Sequence, residues 1–147
     1  MIEVKVTTII NPTEDEKKVE DAVLKMFPLI ELETVTTDEG KFIEGTGDIE
    51  SLRDIHDLIR KEEIIDTART RLVAGSYKHP TRTHFLINKQ VATKGRLNFA
   101  PAIEEPLGSI NVDIEADNAE AMEILIEWLT PPTEDGVALF EADIPEL

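Results

Sequence analysis

The chain contains no cysteine, which excludes a disulfide framework, a thiol nucleophile and any cysteine-ligated zinc, and fits a cytoplasmic protein. Aromatic residues are few: one Trp, one Tyr and five Phe in 147 residues. Most of them fall in apolar patterns that read as core. A platform for stacking bases is therefore not expected, and recognition of a nucleic acid would rest on backbone or shape. No apolar run approaches 18 residues, so no membrane-spanning helix is expected. No charged-then-apolar leader precedes the strand-like run from Ile2, so no secretory signal is expected either. The sharpest absence is local. Between Thr67 and Phe99 there is not one Asp or Glu, in a protein whose formal net charge is -16.

That segment carries Arg69, Arg71, Lys78, Arg82, Lys89, Lys94 and Arg96. Residues 1–66 sum to -10, residues 67–99 to +7 and residues 100–147 to -13. An anion would be repelled by most of such a surface and drawn to one part of it. The bland reading is that the cations are solvated helix ends and partners for an abundant supply of carboxylates. The functional reading is that they converge into one patch that holds phosphates. Asn88 and Gln90 would then add hydrogen bonds without sequence preference, Gly95 would let a backbone approach closely, and His84 would share a strand face with Arg82.

Catalytic patterns are missing. Gly45-Thr46-Gly47 is followed by Asp48, the wrong charge for a phosphate loop. His56, His79 and His84 stand apart, without zinc spacing. Ser51, Ser76 and Ser109 lie in no nucleophile elbow. The adjacent carboxylates Glu104-Glu105 read as a solvated turn before Pro106. The expectation is a protein with no enzymatic activity, no cofactor and no metal.

Periodicity organises the rest. Ile2, Val4 and Val6 alternate with Glu3 and Lys5, predicting a strand that runs towards Ile10. Thr13 with Glu16 has capping-box spacing ahead of a helix over about 14–27, which Pro28 ends. Residues 29–47 predict a hairpin turning at Asp38-Glu39-Gly40. A long second helix follows from Asp48 or Ser51 to Gly75, with Glu62-Glu63 marking a kink. Residues 81–87 predict a strand, 88–94 a short helical turn, 96–99 an extended piece and 108–114 another strand. Asp117 or Asn118 caps a third helix with Ala121, Ile124, Leu125, Trp128 and Leu129 inward. The resulting order, β-α-β-β-α-β-β-α, predicts an α+β fold: an antiparallel sheet with helices packed on one face. A single globular domain over 1–147 is expected, with 131–147 docked as a C-terminal strap through Val137, Leu139 and Phe140.

Several multi-residue blocks carry a family resemblance. These are Asn88-Lys89-Gln90 with Ala92, Gly95, Arg96, Asn98 and Phe99; Glu105-Pro106-Leu107-Gly108; Asn11-Pro12-Thr13-Glu14; Arg60 through Asp66 with Arg69; and Thr130-Pro131-Pro132-Thr133 with Asp135-Gly136. In this order, over nearly the whole chain, they closely resemble an uncharacterised archaeal protein family described as RNA-binding, with a sister group described as a predicted exosome subunit. The resemblance implies a fold like that of large-subunit ribosomal protein five. It also implies a partner that is structured RNA or an RNA-processing complex. It carries over no catalytic residue.

The expectation from sequence is thus an RNA-binding or RNA-processing-associated protein using Arg69, Arg71, Lys78, Arg82, His84, Asn88, Lys89, Gln90, Lys94 and Arg96. Replacing Lys89, Lys94 and Arg96 by Glu is expected to abolish binding and leave the melting temperature unchanged. The alternative is an interaction module whose positive segment docks on an acidic partner or on a second copy, as a homodimer.

Overall fold

The alternation read from the first strand produces a sheet with two unlike faces. The computed structural model describes residues 1–100 and 108–147. The Pro101–Pro106 loop, the Glu104-Glu105 pair and all but Gly108 of the Glu105–Gly108 block lie outside the described residues. In β1 (Glu3–Ile10), Val4, Val6, Thr8 and Ile10 are buried, while Glu3, Lys5, Thr7 and Ile9 face the other way. The same alternation buries Thr83, Phe85 and Ile87 of β4 (Arg82–Asn88) and Ile110, Val112 and Ile114 of β5 (Ser109–Glu115). With β2 (Glu33–Thr37) and β3 (Gly40–Gly47), they form a five-stranded antiparallel sheet in the order β2-β3-β1-β5-β4. Helices cover the apolar face, and among the described residues no helix packs on the opposite face. The fold is α+β, as the order of elements predicts.

The first helix, α1 (Glu16–Met26), starts on Asp15, whose carboxylate accepts the Lys17 N–H at 2.9 Å. The expected Thr13–Glu16 box is displaced by two residues. Glu14 accepts instead from the Asn11 backbone N–H at 2.9 Å, the same three-residue spacing two positions earlier.

The long second helix is three pieces: a 3-10 turn at Ile49–Leu52, α2 (Arg53–Lys61) and α3 (Ile65–Gly75). The kink expected at Glu62-Glu63 is a full break, with Glu63 in the left-handed region at φ 56°. Phase explains it. Ile59 and Ile65 are both buried, yet six residues of unbroken helix would set them about 120° apart. The break returns both to the core.

Asn118 caps the last long helix, α5 (Ala119–Leu129), accepting the Ala121 N–H at 2.8 Å. Ile124, expected inward, is 40% exposed; Met122 and Ile126 take that place in the core. Two arginines hold the far end of α5. Arg60 donates to the Trp128 and Leu129 carbonyls, and Arg69 to the Thr130 carbonyl at 2.6 Å. Three successive carbonyls that the helix leaves unsatisfied are thereby bonded by guanidinium groups from α2 and α3.

The C-terminal segment forms a hairpin of β6 (Thr133–Glu134) and β7 (Val137–Ala138), turning through Asp135 and Gly136 at φ 53° and 80°. Val137, Leu139 and Phe140, expected to anchor it, are exposed. Ala138, Ile144 and Leu147 pack on the core instead. Glu141 forks onto Arg60 at 2.7 and 3.1 Å.

Candidate nucleic-acid interface

Folding separates the ten residues singled out by sequence into two groups. The first surrounds the short helix α4 (Lys89–Ala92), directly after β4. Asn88 caps it, its side-chain oxygen accepting the Gln90 and Val91 N–H groups at 2.9 and 3.3 Å. Lys89 is buried, with 2% of its side chain exposed. Its ammonium donates to the Ile9 carbonyl at 2.7 Å and to Glu14 Oε1 at 3.0 Å. Burial alone would push the Glu14 carboxyl up. The Asn11 backbone N–H and the Lys89 ammonium outweigh that and hold it below the usual carboxylate range. Gly95, at φ +75°, closes the turn, so that the Arg96 N–H reaches the Val91 carbonyl at 3.1 Å.

Asn88, Lys89 and Gly95 are therefore corrected from ligand contacts to architecture. Lys89 ties the end of β4 to β1 and to the segment ahead of α1, while Asn88 and Gly95 shape the turn itself. Arg96 is exposed but paired with Glu62 at 3.0 Å, which holds its guanidinium above the ordinary value. Gln90 and Lys94 are exposed at this end of the sheet. Lys25, absent from the sequence reading, joins them by donating to the Thr93 carbonyl.

The second group sits at the opposite end of β4, about 20 Å away along the strand. Here α3 runs into β4 at close quarters. A Cβ on Gly75 would lie 2.6 Å from the His84 carbonyl oxygen and 2.7 Å from Thr83 Oγ1, so only glycine permits the approach. Thr83 Oγ1 seals the junction by donating to the Leu72 carbonyl at 2.6 Å. Arg71 and His84 line a cavity of about 150 Å³ with Ala74, Gly75, Phe85, Leu86 and Ala100. The adjoining loop presents Tyr77 (86% exposed), Lys78 and His79 to solvent. Arg82 projects from the strand start and meets Glu115 at 3.3 Å, with both side chains more than half exposed. Arg69, expected beside Arg71, is spent on the α5 terminus.

The seven cations thus do not gather into one patch. Lys89, Arg82 and Arg96 are paired with carboxylates, and Arg69 holds a carbonyl. Among the described residues, Arg71, Lys78 and Lys94 have no carboxylate within 4 Å. Sequence reasoning missed Tyr77 by counting the aromatics as core. A tyrosine between Gly75 and Pro80, in a loop of Ser, Lys and His, has no regular face on which to be buried, and that signal was legible.

His56, on α2, stacks on Trp128 of α5 with ring centroids 4.8 Å apart. Among the described residues, no helix is long and apolar enough to cross a membrane.

Comparison with known proteins places these features in a lineage. A family model described as RNA binding matches residues 3–116, which spans both ends of β4 and the whole sheet. The UPF0201 protein of Methanosarcina acetivorans is 40% identical, covering 98% of this chain and 93% of that protein. The UPF0201 protein of Methanopyrus kandleri is 38% identical over 98% and 94%. The crystal structure of the UPF0201 protein from Methanococcus jannaschii superposes with a TM-score of 0.83, at 33% identity, covering 94% of this chain and 99% of that one. The chain belongs to the archaeal UPF0201 family and matches, over residues 3–116, a family model described as RNA binding.

Proposed function

We propose that this chain is a non-enzymatic RNA-binding protein, working within RNA processing, that contacts RNA through the corner where α3, the loop at residues 76–81 and β4 meet. Arg71, Lys78 and Arg82 meet phosphates, and Tyr77 and His84 stack on or hydrogen-bond to bases. The observation that carries this reading is the exposure of Tyr77 beside the exposed Lys78, at the corner that also presents Arg82. A tyrosine left in water next to a cation supplies the two elements that single-stranded RNA needs, a stacking face and a phosphate partner. The Arg82–Glu115 pair is no obstacle, because an exposed pair is worth about 0–1 kcal/mol and yields to a phosphate. The family description of RNA binding supports the same reading.

The test is titration of a single-stranded and a stem-loop RNA at several salt concentrations. Three phosphate contacts predict that log affinity falls against log salt with a slope of roughly -2 to -3. Binding that ignores salt, or that is unchanged in a Lys78→Glu/Arg82→Glu double variant, overturns the proposal.

A further inference from the structure

The sheet ends at β2, and nothing in the chain covers that edge among the described residues. Edge strands expose a row of unpaired N–H and C=O groups, and proteins usually blunt them with Lys, Pro, a bulge or an overlying segment. The sequence of β2 is Glu-Thr-Val-Thr-Thr, with neither Lys nor Pro, and its five residues are all exposed or only half-buried. Threonine and valine are strong strand formers, so this arm is kept ready for pairing rather than protected from it.

A second observation says what pairs with it. On the open face, the register places Ile9 opposite Phe42 and Phe42 opposite Val35. An apolar row thus crosses three strands from the middle of the sheet and stops at the edge, at the central residue of β2. Antiparallel pairing of β2 with another β2 about Val35 would set Val35 against Val35 and Thr34 against Thr36. Glu33 would fall opposite Thr37, so no like charges would meet within the five-residue strand. The apolar row would continue unbroken into the partner as Val35, Phe42 and Ile9. A strand that can pair with its own copy about Val35 without opposing like charges within its five residues fits an isologous two-fold contact.

We infer that β2 pairs with β2 of a second copy of this chain, joining two five-stranded sheets into one of ten strands. This surface lies at the opposite sheet edge from β4, so the inference stands or falls independently of the RNA-binding corner. The contact is small, below the roughly 1,200 Å² of a standard interface, and it joins two bodies that each carry -16. The dimer is therefore weak, and salt strengthens it by screening that repulsion. Salt acts on RNA binding in the opposite direction.

The absence of cysteine makes a clean probe. Antiparallel partners stand about 4.5–5.5 Å apart at Cα, within disulfide range. Purified Val35→Cys should oxidise to a covalent dimer, while Glu33→Cys and Thr37→Cys each stay monomeric alone and cross-link when mixed. In light scattering, the unmodified chain should gain mass with concentration and with added salt. Val35→Lys, which sets two ammonium groups face to face, should remain a monomer with an unchanged circular dichroism spectrum. Equal cross-linking at positions 33, 35 and 37 overturns the register. A chain that stays monomeric at all concentrations and salts, or a Val35→Lys variant that still dimerises, overturns the interface.

Discussion

The two ends of β4 belong to the same acid-free segment and meet opposite fates. At the α4 end, Lys89 is driven inward to join β1 and α1, and Arg96 is answered by Glu62. At the α3 end, Arg71, Lys78, His84 and Tyr77 stand without a carboxylate partner among the described residues. A run of like charge along a sequence is therefore not a charged surface. Burial and pairing decide which cations remain available, and both are settled by residues far away in the chain. Lys89 owes its burial to Glu14 and Ile9, 75 and 80 positions distant.

The contrast can be broken most forcefully at Lys89. Lys89→Glu places a carboxylate against Glu14 in a buried site, and removing one partner of such a pair costs about 3–5 kcal/mol. Urea denaturation should show that loss, or no folded protein at all, whereas Lys78→Glu should shift stability by less than about 0.5 kcal/mol. The burial of Lys89 thus predicts, against the expectation from sequence, that exchanging Lys89, Lys94 and Arg96 for Glu lowers the melting temperature.

Tyr77→Ala reverses the pattern. Loss of one stacking contact should cost about 1–3 kcal/mol of RNA affinity and leave the urea midpoint in place. An unchanged affinity would move the interface away from this corner.

A smaller effect concerns pH. Bonding to Arg60 holds the Glu141 carboxyl below its ordinary value. In the folded state it binds fewer protons than in the unfolded state at mildly acid pH. Its contribution is therefore present above the unfolded value of about 4.3 and is lost as pH falls through the folded one. Glu141→Gln should flatten the acid limb of melting temperature against pH by lowering the neutral value, and leave the value at strongly acid pH little altered.

The smallest effect is at the exposed pair. Glu115→Gln should change stability by about 0–1 kcal/mol while raising RNA affinity, because Arg82 is released. A fall in affinity would show that Glu115 orients Arg82 rather than restrains it.

Much of the fold was legible because local patterns and tertiary packing agree. The alternation of Ile2, Val4 and Val6 and the Asn118 cap each specify their element without distant help. The break at Glu63 was visible only as a kink, since the phase slip between Ile59 and Ile65 becomes decisive once both must reach one core. The proposed interface was half legible. Charge pointed to the segment that holds the proposed corner, and Tyr77 could have been found from its loop. The dual character of the Asn88–Phe99 block could not, because a family motif that builds a capped turn has the same donor-rich composition as one that binds a ligand.

The grip of Arg60 and Arg69 on the last carbonyls of α5 has a dynamic consequence. Those two side chains rise from α2 and α3, and Arg60 also holds Glu141, so the end of one helix, two others and the C-terminal segment share a single fastening. Amide hydrogens across all four should exchange with solvent as one cooperative unit, opening together rather than fraying one terminus at a time.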